Sequence, residues 1–94
     1  MVQVSTSKNA SETRYEVSVD GEPAGFAAYT LEGDDVVVLT HTEVNDRLEG
    51  QGVGSALARA ALDDIRADGT RSVRPQCPFI RAWIARHPDY ESLL

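Results

Sequence analysis

The chain of 94 residues carries nine basic side chains against fifteen acidic ones, a net charge of −6, and 41% of it is apolar. That length makes one domain with one modest core, and the acidic balance argues against a nucleic-acid module, whose phosphates this field would repel. A single cysteine, Cys77, excludes an internal disulfide, and one Cys with two His cannot supply a four-ligand structural zinc site.

No apolar run approaches the ~20 residues that a membrane-spanning helix needs, so no membrane partner is expected. The first residues lack the apolar stretch of a secretory signal, and the expectation is a cytoplasmic protein. Residues 1–11 are polar and read as a flexible end. From Thr13 to Val19 the sequence alternates, with Tyr15, Val17 and Val19 on one face and Arg14, Glu16 and Ser18 on the other, the pattern of a half-buried strand. Asp20-Gly21-Glu22-Pro23 is a turn, and Ala24 to Leu31 is a second strand ending at Glu32-Gly33-Asp34. Turns this short make the strands antiparallel.

The third strand begins with four consecutive apolar residues, Val36-Val37-Val38-Leu39, which predicts a central position with both faces covered. It continues as Thr40-His41-Thr42-Glu43-Val44, and polar residues entering an apolar strand mark the mouth of a site. Simple alternation would put His41 on the face of Val37 and Leu39, with Glu43 beside it if no bulge intervenes. A helical stripe of Val53, Leu57, Ala61 and Ile65 follows and stops at Gly69. Thr70 to Arg74 reads as a short strand, and Pro75-Gln76-Cys77-Pro78 breaks it. Phe79 to Arg86 is a second helix with Phe79, Ile80, Trp83 and Ile84 on its core face. The predicted fold is a mixed α/β domain of order β-β-β-α-β-α, with about four strands and two helices.

Between the third strand and the first helix lies Glu49-Gly50-Gln51-Gly52-Val53-Gly54-Ser55. Alternate glycines opening into a helix N-terminus let backbone N–H groups converge on an anion, which the helix dipole also favours. A phosphorylated ligand is therefore expected. A P-loop is excluded, because no Lys-Ser or Lys-Thr follows the glycines, and a dinucleotide fold is disfavoured by Ser55 at the third glycine position and by the hairpins upstream. Cys77 precedes Pro78, a residue favoured at the first helical position, which places the thiol at a helix N-terminus where its pKa falls. Arg74 and Arg81 are close enough in sequence to lower it further.

The stretch Gln51 to Leu57 resembles the pyrophosphate loop of the GNAT-type N-acetyltransferase superfamily. Together with Leu39 to Val44, Pro75 to Phe79, Trp83 and His87 to Tyr90, it resembles the minimal single-domain members of that superfamily. The resemblance implies a trimmed core that binds acetyl-coenzyme A, with the pantetheine arm between two splayed parallel strands and the pyrophosphate on the N–H groups of Gly50, Gln51, Gly52, Val53, Gly54 and Ser55. It implies acetyl transfer to an amine of a small molecule or peptide, with His41 and Cys77 as the catalytic pair. Glu43, Val44, Cys77 and Arg81 are the further candidates for cofactor contact. Glu49 departs from the basic or amide residue usual in larger members. The alternative from another class is a non-catalytic acyl-coenzyme A binding or sensing module. Oligomeric state is left open.

Overall fold

The computed structural model describes residues 3–48 and 52–94. The chain forms β1 (Val4–Asn9), β2 (Arg14–Val19), β3 (Glu22–Glu32), β4 (Val36–Val44), α1 (Val53–Asp68), β5 (Ser72–Pro75) and α2 (Pro78–Arg86), with short 3-10 turns between and after them. One sheet runs in the order β1-β2-β3-β4-β5. The first four strands are antiparallel neighbours, and β4 and β5 run parallel, joined through α1.

The sheet has five strands where the sequence suggested about four. The extra one, β1, lies in the segment expected to be a flexible end. It pairs with β2 from Val4↔Val19 to Asn9↔Arg14. Its residues, Val-Ser-Thr-Ser-Lys-Asn, are mostly exposed, so a one-sided edge strand gave no apolar alternation to read. The β2–β3 hairpin turns through Asp20 and Gly21, both at positive φ, the pairing that two-residue hairpin loops require.

Tyr15, Val17 and Val19 of β2, Ala27 and Tyr29 of β3, and Val37 and Leu39 of β4 form one core with the apolar stripes of both helices. Leu57, Ala58, Ala61 and Leu62 of α1 are fully buried there. The small alanines let α1 lie close to the sheet, and two phenols tether it: Tyr15 Oη donates to Asp64 at 2.8 Å and Tyr90 Oη to Asp63 at 2.7 Å. Burial first, and then the Asp64 carboxylate, hold the Tyr15 phenol far above its ordinary pKa, so it stays a donor at any physiological pH.

β4 lies inside the sheet, as expected, but its alternation is interrupted. Ala28 pairs with His41 and Tyr29 with Leu39, leaving Thr40 as the extra residue of a β-bulge. Val37 and Leu39 face the helices before the bulge, and Thr42 and Val44 do so after it. His41 and Glu43 are turned to the other face, because one inserted residue flips every side chain that follows.

At the end of β4, far from the hairpin turn, β3 and β4 lie in close contact. Gly25 pairs with Val44, and a Cβ there would collide with the Glu43 carbonyl oxygen. Backbone cannot yield as a side-chain tip can, so Gly25→Ala should destabilise the fold by about 1–3 kcal/mol. Urea unfolding checks this; an unchanged midpoint would mean that the β3–β4 hairpin is looser than described.

Candidate functional site

β4 and β5 pair only from Val36↔Ser72 to Leu39↔Pro75. Proline has no N–H with which to extend the ladder, and the chain leaves the sheet there. The last link is the Cys77 amide, which donates to the Leu39 carbonyl at 2.9 Å. Cys77 is the N-cap of α2 and Pro78 its first residue, as the sequence predicted. Beyond Leu39 the edge of β4 that faced β5 is open. A cleft of about 510 Å³ fills the gap, lined by Thr42 and Val44 of β4, Gly52 to Ser55 at the start of α1, and Phe79, Trp83, Arg86 and His87 of α2 and its end.

Gly52 caps α1 in the left-handed conformation, φ +76°, and among the described residues no side chain caps the helix. The Ala56 amide bonds to the Gly52 carbonyl, so the amides of Val53, Gly54 and Ser55 lack intrahelical partners and border the cleft. Gly54 has a second purpose: a Cβ on it would lie 2.9 Å from the tip of the Phe79 ring. The glycine lets α1 and α2 approach at the cleft. Gly50 and Gln51, with Glu49, lie outside the described residues.

The Cys77 thiol donates to Thr42 Oγ1 at 3.3 Å; Thr42 lines the cleft, whereas Cys77, expected at the cofactor, is buried behind it and does not. Burial pushes its pKa up. The Thr42 hydroxyl and the amides of Ile80, Phe79 and Thr42 pull it down by more, and the net direction is below an ordinary thiol. The arginines expected to help are engaged elsewhere. Arg74 is paired with Glu32, and Arg81 donates to the carbonyls of Pro75 and Gln76 at 3.3 and 3.1 Å. Arg81, expected at a cofactor phosphate, does not line the cleft.

His41 and Cys77 are not brought together. The bulge places His41 on the opposite sheet face, where its ring meets Phe26 edge-on at 6.2 Å and its Nε2 lies 3.6 Å from Glu43. Both side chains are about 60% exposed. Val44 and Gly52 to Ser55 stand in the cleft wall; Glu43, on the same strand, points away from it.

Sequence reasoning missed Thr42, Arg86 and His87, and assigned Phe79 and Trp83 to the core alone. Trp83 is buried, but Phe79 is 38% exposed and packs over Gly54. The spacing Phe79, Trp83, Arg86, His87 follows one helix face and was the available signal. Thr42 had none, because a bulge is not written in residue types. Among the described residues no cluster of three or more His, Cys, Asp or Glu side chains could hold a metal ion, and no helix is long and apolar enough to cross a membrane.

Parallel strands that diverge beside a helix N-terminus leave room for an extended ligand with an anionic end, and comparison with known proteins gives this core its class. Residues 14–93 match the family model for GCN5-related N-acetyltransferases. The chain belongs to this GNAT family. Protein NATD1 from Bos taurus is 35% identical over 60 residues, and the human protein of that name 33% over 60; each match covers 64% of this chain. The match spans about half the length of those curated relatives, 52% in both cases. Among solved structures, a GCN5-like protein from Staphylococcus aureus superposes with a TM-score of 0.72 at 20% identity, covering 95% of this chain and 85% of its own. The ribosomal-protein-S18-alanine N-acetyltransferase from Escherichia coli gives 0.64 at 18%, covering 93% and 76%. At such identities the likeness is one of fold.

Because the Thr42 hydroxyl favours the thiolate, Thr42→Val should raise the Cys77 pKa. Thiolate absorbance followed against pH should move its midpoint to higher pH. A midpoint that stays or falls would show that the α2 amides alone set the thiol.

Proposed function

We propose that the cleft binds acetyl-coenzyme A and that the domain transfers the acetyl group to an amine of a small molecule or peptide. The observation that carries this is the start of α1: three amides without intrahelical partners, no side-chain cap among the described residues, and a cleft in front of them. A buried or half-buried helix end left uncapped is costly unless something else satisfies it, and a phosphate does so. Had the protein's own side chains filled those positions, no anion would fit. The open edge of β4 beyond Leu39 fits an extended amide-bearing arm in the same way, since its backbone groups are not met by β5. Membership in the GNAT family supports the same ligand.

Bound acetyl-coenzyme A supplies an acetyl group activated as a thioester. The chain's own contribution is divided among named groups. The amides of Val53, Gly54 and Ser55 hold phosphate, and Arg86 adds positive charge on the opposite wall. Thr42 and Val44 present the strand edge. Cys77 can release or return a proton at Sγ, with Thr42 and the start of α2 stabilising the thiolate. His41 and Glu43, exposed on the other face, are the groups available to accept a proton from an incoming ammonium.

Coenzyme A at a hundredfold excess over its Kd should stabilise the fold by about 2.7 kcal/mol, raising Tm by roughly 10 °C or more, whereas adenosine nucleotides at the same concentration should do far less. Thermal unfolding with each ligand measures this, and equal shifts from all of them, or none, would remove the reading.

A specific observation favours a second reading, a non-catalytic acyl-coenzyme A binding or sensing module. Among the described residues no basic side chain is hydrogen-bonded to the Cys77 thiol, and His41 is on the far face. Turnover separates the two. Under the catalytic reading Cys77→Ala lowers acetyl transfer by roughly 10²-fold or more while the coenzyme A shift in Tm persists. Binding without any transfer by the intact chain, across a panel of amines, selects the sensing module.

A further inference from the structure

The indole of Trp83 is 1% exposed, yet it is more than packing. Its Nε1–H donates to Ser55 Oγ at 2.9 Å, from α2 across to the first turn of α1. The ring has little freedom to do otherwise. His87 stacks on it at 3.8 Å with planes 12° apart, and His87 Nδ1 lies 2.8 Å from the Trp83 carbonyl, an acceptor, so that nitrogen carries the proton. Tyr90 meets the ring at 5.0 Å in an edge arrangement, and the Arg59 guanidinium lies 5.3 Å from its centroid. A buried indole N–H is a donor with no other use, so it commits the Ser55 oxygen as an acceptor.

A serine hydroxyl has one proton and two lone pairs. With Trp83 on one lone pair, the proton must be directed elsewhere, and among the described residues nothing accepts it. Ser55 is half-buried and lines the cleft in the first turn of α1. We propose that Trp83 is a positioning residue for anion binding: by donating to Ser55 Oγ it turns the Ser55 hydroxyl proton into the cleft, adding an O–H donor to the backbone amides that face the phosphate. A donor whose rotor is already set loses less freedom when the anion arrives. This rests on the reading that the cleft takes coenzyme A.

The test is a double-mutant cycle on the full chain, with coenzyme A affinity measured by titration calorimetry. A hydroxyl donating to a charged phosphate is worth about tenfold in affinity, so Ser55→Ala should weaken binding by about that factor. Trp83→Phe, which keeps an aromatic ring but loses the N–H, should weaken binding several-fold. The double variant should be no weaker than Ser55→Ala alone. If Trp83 acted only through packing, its substitution would cost the same factor in both backgrounds. Additive losses, or a Ser55→Ala chain that binds like the original because its hydroxyl bonded to its own helix backbone, overturn the inference. Should Trp83→Phe not fold, 3-benzothienylalanine at position 83 is nearly isosteric and lacks only the N–H. Because the chain has one tryptophan, its single indole N–H resonance gives a second readout. That resonance should move upfield in Ser55→Ala, and an unmoved one also overturns the inference. An original chain that is folded but does not bind coenzyme A refutes the underlying function, a failure visible before any variant is made.

Discussion

The arrangement of this domain depends on one hydrogen bond, from the Cys77 amide to the Leu39 carbonyl. It is the last backbone hydrogen bond that joins β4 to the chain that follows β5. Up to Leu39 the two strands are zipped in parallel register; beyond it β4 runs on for five residues paired only with β3, while the chain turns into α2. Pro75 ends the ladder and Pro78 begins the helix, so the divergence is enforced by two residues without N–H groups. The cleft is the space between the separating elements. Thr42, Cys77 and the start of α1 reach one place because of it.

The bulge at Thr40 then decides which side chains enter that space. With strict alternation, His41 would face the helices and Thr42 the open side. The extra residue exchanges them, so a small hydroxyl meets the Cys77 thiol and an imidazole is left exposed with Glu43 and Phe26. The exchange has a packing logic as well as a chemical one. Thr42 and Val44 fit beneath a narrow cleft, where an imidazole would occupy the volume that a ligand needs. The Cys77 thiol and the His41–Glu43 pair are thereby kept on opposite faces of the sheet.

A helix begun by a glycine, as α1 is by Gly52, gives up only about a few tenths of a kcal/mol relative to one capped by serine or aspartate. The fold supports that cost elsewhere along α1. Its apolar stripe is fully buried, the Tyr15–Asp64 and Tyr90–Asp63 bonds hold it from two sides, and Gly69 closes its C-terminus in the left-handed conformation. The end without a side-chain cap among the described residues is the opposite one, at Gly52, where the cleft is. Stability and site thus occupy different ends of one helix.

Much of this was legible from residue types. The period-two alternation of β2, the 3.6-residue stripe of α1, the Gly69 stop and Pro78 after Cys77 are local signals, each set by backbone sterics or by the side of an element that must be buried. Gly52 likewise announced the start of α1. Other features were written nowhere locally. The β1 strand is polar and exists because β2 offers it an edge; the Thr40 bulge depends on how β3 meets β4; Arg81 turns to backbone carbonyls because the β5–α2 bend presents them. Periodicity records which side of an element is buried, whereas register, bulges and the meeting of Trp83 with Ser55 depend on segments far apart in the chain. Those are settled only when the pieces pack.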